Sequence, residues 1–135
     1  MARVLIIEDD PVCVQLITRT LEARGHDVTS AADGRAGMKR FQSDEYDLVI
    51  SDLVMPDQDG IETIREIRRA KPDVAIIAVS GGLTQPFGVS VDYLGAAKLL
   101  GADATLKKPF MPSTLVSLVD ETLGSRGDTK SDPLH

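Results

Sequence analysis

Four short groups of polar residues each follow an apolar run. Glu8-Asp9-Asp10 follows the first, Asp52 the second, Ser80 the third and Lys107-Lys108-Pro109 the last. Carboxylates gathered in one place repel, and one of them must take up a proton unless a cation sits among them. All-oxygen ligand sets suit hard ions, Mg²⁺ or Mn²⁺. A nearby lysine can neutralise a phosphate oxygen, and a serine hydroxyl can donate to another. If these groups meet, they form a site that holds a phosphoryl group against a carboxylate. Such transfer needs positioning and charge neutralisation more than covalent help from other groups.

Whether they meet depends on the elements that carry them. Residues 3–7 form a short β-branched run that reads as a strand. Asp10 and Pro11 then mark a helix start, Val14, Ile17 and Leu21 recur at helical spacing, and Gly25 stops the helix. Residues 27–31 read as a second strand, 33–41 as a second helix and 47–51 as a third strand ending at Asp52. Ile61, Ile64 and Ile67 mark a third helix, closed before Pro72, and 74–79 a fourth strand ending at Ser80. Tyr93, Ala96, Ala97 and Leu100 predict a fourth helix, 104–107 a fifth strand, and Leu115, Leu118, Val119 and Thr122 a fifth helix. A βα unit repeated five times, with strands apolar on both faces, implies a parallel sheet with helices on both sides.

In such a sheet ligands bind at the carboxyl ends of the strands. Three carboxylates, a hydroxyl and a lysine then converge on one edge. An acid at a strand end is more often an N-cap than a ligand, and Asp10 before Pro11 fits a cap. Ser80 alone fits a turn and Lys108 alone a surface charge. Their joint placement at four strand ends is poorly explained that way.

The bulk properties narrow the function. The chain has 135 residues, the size of one domain. Its formal net charge of −6 disfavours nucleic acid as a partner. The basic residues Arg65, Arg68, Arg69 and Lys71, with Lys39 and Arg40, read as solvated helix faces. Cys13 is the only cysteine, sits in an apolar helical pattern and is expected in the core. No stretch approaches a membrane span, so a cytoplasmic protein is expected. One domain over 1–123 is expected, followed by a polar, aperiodic tail over 124–135.

Joined in order, these residues resemble the receiver domain of two-component response regulators. The pieces that match are Glu8-Asp9-Asp10-Pro11 after its strand, Asp52-Leu53-Val54-Met55-Pro56-Asp57-Gln58-Asp59-Gly60, and Gly101-Ala102-Asp103 with Lys107-Lys108-Pro109-Phe110. The resemblance covers about residues 2 to 123. It implies a flavodoxin-like doubly wound (βα)5 fold with strand order 2-1-3-4-5. It implies Asp52 as phosphoacceptor, with Glu8, Asp9, Asp52 and the backbone carbonyl of Val54 around Mg²⁺ (or Mn²⁺). Asp9 is then the direct ligand and Glu8 acts through water. It also implies that Ser80 and Lys108 bind the phosphoryl oxygens and that the Lys108–Pro109 bond is cis.

There are three departures from the family pattern. Glu8 stands where the acid pair usually begins with aspartate. Thr105 stands where the switch aromatic usually lies. The stretch between Ser80 and Lys108 is long, with its extra residues in a Gly-rich loop that contains Pro86 and Phe87. Phosphorylation is therefore expected to reorder that loop and the fourth helix.

Rival readings fit less well. An aspartate-nucleophile phosphatase needs a second acid where Val54 stands. A calcium loop over Asp57, Asp59, Gly60 and Glu66 has Met55 in its first position and Pro56 inside it. A nucleotide binder needs a Gly-rich loop where Glu8-Asp9-Asp10 stands. The remaining alternative is a pseudo-receiver, an interaction module without phosphotransfer. The expected function is a single-domain response regulator, a phosphoacceptor rather than an enzyme acting on other substrates. Its expected partners are a histidine kinase or histidine phosphotransfer protein and an output protein whose identity the sequence does not carry. It is expected to act as a monomer or weak dimer.

Overall fold

The computed structural model describes residues 1–55, 58–81, 98 and 101–131. Five strands form one parallel sheet: β1 (Arg3–Ile7), β2 (Asp27–Ala31), β3 (Leu48–Asp52), β4 (Ala75–Ser80) and β5 (Ala104–Lys107). Their spatial order is β2-β1-β3-β4-β5, as the resemblance implied, and every pairing is parallel. The helices are α1 (Pro11–Glu22), α2 (Gly34–Ser43), α3 (Gly60–Ala70) and a C-terminal helix (Pro112–Ser131). A two-residue antiparallel ladder pairs Val54 with Asp59 and Met55 with Gln58 ahead of α3. The helix expected over 93–100 and the loop carrying Phe87 lie outside the described residues.

The strands alternate between two cores because successive side chains point to opposite faces. Leu5, Ile7, Val49, Ile76 and Ala78 pack with Phe41 of α2 and Ile64 and Ile67 of α3. Val4, Ile6, Leu48, Ile50, Ile77 and Leu106 pack with Cys13, Ile17 and Leu21 of α1 and with Leu115 and Val119 of the C-terminal helix. Burial on both faces explains why the strands read as unbroken apolar runs. Each fully buried Ile or Leu contributes roughly 2 kcal/mol relative to exposure, so these two layers fix the sheet. Among the described residues no helix is long and apolar enough to cross a membrane.

Asp10 caps α1, its Oδ1 accepting from the Val12 amide at 3.0 Å. Asp33 likewise caps α2, accepting from the Ala36 amide at 2.7 Å, and so precedes that helix rather than opening it.

Two expectations change. The C-terminal helix runs to Ser131, through most of the stretch expected to be a tail. Adding a residue to a helix costs far less than nucleating one, so a first half fixed by Leu115 and Val119 carries the later polar residues, Gly124 included. Arg68 is not on a solvated face. Its Nε and Nη2 donate to the Gly101 carbonyl at 3.0 and 2.8 Å, and its Nη1 to the carbonyls of Pro72 and Val74 at 2.7 and 2.6 Å. Nη2 also meets Asp103 Oδ2 at 2.8 Å, and that same oxygen accepts the Ile76 amide at 2.8 Å.

The guanidinium therefore ties α3 to both turns that enter β4 and β5. Gly101 adopts a φ of +126°, and a Cβ there would lie 2.9 Å from Arg68 Cγ, so glycine suits the turn twice over. Removing one partner of a largely buried, fully hydrogen-bonded pair strands the other. Arg68→Ala is expected to lower the unfolding free energy by about 3 kcal/mol in urea denaturation. Arg68→Lys should recover less than half, because an ammonium cannot span these acceptors. A loss below about 1 kcal/mol would place the pair among ordinary surface bridges.

Candidate functional site

The carboxyl edge of the sheet gathers most of the residues that the sequence singled out. β1 hands over to Glu8, whose amide still donates to the Ala31 carbonyl at 3.0 Å and so extends the β1–β2 ladder by one residue. β3 ends on Asp52, in register with Val79 of β4. Beyond β5, the Lys108 amide donates to the Ser80 carbonyl at 2.8 Å, and the Lys108–Pro109 bond is cis as implied. The strand alternation turns Glu8, Asp52 and Lys108 toward the face carrying α1, whereas Ser80 has the opposite parity.

One carboxylate oxygen from each of Glu8, Asp9 and Asp52 lies within 4.8 Å of the other two. Glu8 and Asp52 are buried and Asp9 is exposed. An all-carboxylate set with one exposed member fits a hard divalent ion that keeps water ligands.

Lys108 reaches into the same cluster. Its Nζ lies 2.8 Å from Glu8 Oε2 and 3.6 Å from Asp52 Oδ2. The other Glu8 oxygen, Oε1, accepts from the Asp10 amide at 3.1 Å.

The electrostatics follow from burial and crowding. Burial pushes Glu8 up to about 7. The hydrogen bond from Lys108 and that from the Asp10 amide oppose the rise, and the Asp52 charge adds to it. Burial works against the charge on Lys108 too, but its bond to Glu8 and the nearby Asp52 outweigh it and raise its pKa. Lys108 thus stays an ammonium. Cys13, close by in the α1 core, is pushed up to about 11 by burial and stays a thiol rather than a nucleophile.

The other expected residues sit around this centre. Ser80 is buried at the end of β4, next in the chain to the register partner of Asp52. Val54 lies two residues beyond Asp52, in the short ladder that leads to α3. Thr105 is half-buried in β5, opposite Ala78 and on the sheet face away from Leu106.

Gly60 is a residue that sequence reasoning quoted without giving it a role. A Cβ on Gly60 would come within 2.5 Å of the Asp52 carbonyl and collide with Leu53 Cα. The start of α3 is thereby pressed against the backbone of the turn that follows Asp52. The Asp59-Gly60 pair that ends the long motif is the signal for this contact.

A doubly wound parallel sheet with an acid cluster and a half-buried lysine at its carboxyl edge defines a recognisable class. The chain belongs to the response regulator receiver domain family, whose sequence model matches residues 4–120. Members of this family are phosphoacceptor signalling domains. Among its relatives, the response regulator receiver protein CpdR of Brucella abortus is 31% identical over 123 residues, which cover 91% of this chain and 98% of that one. The sensor kinase CckA of the same organism is 36% identical over 90% of this chain, which spans only 12% of CckA. The chain likewise spans 49% of the transcriptional regulatory protein RprY of Bacteroides fragilis, at 32% identity over 90% of its own length. Among solved structures, a CheY-like receiver domain protein from Methanospirillum hungatei superposes with a TM-score of 0.86 at 26% identity, covering 96% of this chain and 98% of that one. The chemotaxis protein CheY4 of Vibrio cholerae gives 0.79 at 30% identity, covering 90% and 98%.

The raised Glu8 has a measurable consequence in metal-free protein. Between pH 4.5 and about 7 the folded chain keeps a proton that the unfolded chain has released. Stability from this group is thus full below pH 4.5 and is lost as the pH rises through 7. Urea unfolding in EDTA should show wild type losing more stability between pH 5 and 7.5 than Glu8→Gln, which has no proton to release. Equal losses would contradict the raised value.

Proposed function

We propose that this chain is a phosphorylation switch that accepts a phosphoryl group on Asp52 from a phosphohistidine donor. The observation that carries the reading is the buried cluster itself. Asp52 lies beside two further acids and one lysine at the strand ends, where a phosphoryl group needs both a cation site and an ammonium.

Asp9, Asp52 and the backbone carbonyl of Val54 would hold Mg²⁺ (or Mn²⁺), with Glu8 acting through water. The ion, when bound, supplies the positive charge that lets an anionic phosphoryl group approach a carboxylate. An Asp52 oxygen attacks phosphorus, the P–N bond to the donor imidazole breaks, and the imidazole leaves as the neutral base after taking a proton. Lys108 neutralises a second phosphoryl oxygen, and the Ser80 hydroxyl donates to a third. Burial at this edge strengthens each of these contacts, because the low dielectric weakens screening.

The donor is a histidine kinase or a histidine phosphotransfer protein. A groove of about 430 Å³ borders Lys108 and is lined by Val12, Leu16 and Phe110, which gives a donor an apolar surface beside the site. The added charge shifts a two-state surface around β5, its flanking helices and the long stretch after Ser80. The output is a binding event with another protein or relay of the phosphoryl group onward. Thr105, small and half-buried, cannot report the state by swinging an aromatic ring. A cytoplasmic site of action fits the lone buried thiol and the kinase partner.

Incubation with acetyl phosphate and Mg²⁺, followed by intact mass measurement, tests the reading. One added phosphoryl group is expected on wild type and none on Asp52→Asn. Addition of Mg²⁺ without donor should leave the mass unchanged, and EDTA should abolish the gain. No gain on wild type would favour an interaction module without phosphotransfer, and an equal gain on Asp52→Asn would sink the assignment of Asp52 as acceptor.

A further inference from the structure

We infer that Glu8 is the resting counter-ion of Lys108, a positioning residue that holds the ammonium off Asp52 until a phosphoryl-like anion takes its place. The inference rests on the acceptor reading above and concerns the state before phosphorylation.

The distances separate two partners that sequence alone treats alike. Lys108 Nζ is within hydrogen-bond range of Glu8 Oε2 at 2.8 Å and outside it for Asp52 Oδ2 at 3.6 Å. Glu8 is not free to turn away, because its second oxygen accepts from the Asp10 amide at 3.1 Å. The carboxylate is thus clamped from both sides, by the amide of Asp10, the N-cap of α1, and by the residue after β5. The side chains are 2% and 20% exposed, so water competes little for either group. A charge-assisted hydrogen bond under those conditions is strong and directional.

The length of the Glu8 arm matters. An aspartate at this position would end about one carbon–carbon bond earlier, roughly 1.5 Å. That is enough to break a 2.8 Å contact unless the lysine follows. The replacement of aspartate by glutamate at the head of the acid pair thus has a geometric effect beyond its unchanged charge.

The consequence is a competition for one ammonium. A phosphoryl oxygen on Asp52 must draw Lys108 from Glu8 or share it, and the sharing costs part of a strong contact. Glu8 therefore weakens the site for a phosphoryl-like anion even while its charge favours a cation. These effects have opposite sign and can be separated by saturating the cation first.

The probe is beryllium fluoride, titrated by calorimetry at pH 8.5, where Glu8 is ionised, and at a Mg²⁺ concentration above which binding no longer changes. Glu8→Gln is expected to bind it about tenfold more tightly than wild type, the scale of one charge-assisted hydrogen bond released. Glu8→Asp should move the same way by less. In Lys108→Met protein, adding Glu8→Gln should bring no gain. Unchanged or weaker binding by both Glu8 variants would overturn the inference and leave Glu8 a metal-site residue only. So would a gain that persists without Lys108. Absence of binding by wild type itself would instead sink the acceptor reading, and this inference with it.

Discussion

Among the described residues, two buried carboxylates, Glu8 and Asp52, share one half-buried ammonium, that of Lys108. Each of these charges would be unstable alone at its depth, since removing an ion from water costs several kcal/mol even after relaxation. Together they still leave one negative charge in excess, and the exposed Asp9 adds another at the rim. Burial first, and then the charge of Asp52, explain why Glu8 holds its proton to about pH 7. The excess negative charge also makes the edge suited to a cation. A site that is short of positive charge at rest is one whose chemistry begins when positive charge arrives.

The architecture makes this arrangement possible at small cost. Glu8 and Lys108 leave β1 and β5, strands with β3 and β4 between them, so their ion pair crosses the carboxyl edge of the sheet. Neither residue could be brought there by local structure alone. Parallel pairing aligns all five strand ends, and the two apolar layers hold that alignment from both sides. Gly60 then lets α3 press on the carbonyl of Asp52, and Arg68 anchors the far end of the same helix to the turns that enter β4 and β5. One end of α3 thus braces Asp52 while the other braces the strands around it.

The strands and their order were legible because their physics is local and repetitive. Residues 3–7, 27–31 and 104–107 have the same bounds in sequence and structure, and Asp10 proved to be the cap that its neighbour Pro11 implied. The meeting of Glu8, Asp52 and Lys108 was legible through the strand-end rule. Which acid the lysine prefers was not, since that choice turns on less than 1 Å of side-chain reach. Arg68 was misread because a helical pattern gives its phase but not what lies opposite. Besides Asp103, its acceptors are main-chain carbonyls of residues 72, 74 and 101, and a carbonyl is common to every residue type. The C-terminal helix ran past its expected end because propagation from a packed helix tolerates polar residues that would not begin one.

The central claim is that the aspartate at the end of β3 is the chemical acceptor, and the linkage itself can be located. An aspartyl phosphate is an acyl phosphate, and borohydride reduces it to homoserine. After loading with acetyl phosphate and Mg²⁺, reduction and peptide sequencing by mass spectrometry should place homoserine at position 52 and nowhere else. Homoserine at position 9, or the 2-amino-5-hydroxyvaleric acid that a glutamyl phosphate would give at position 8, would contradict the account, as would phosphate retained on a serine or threonine.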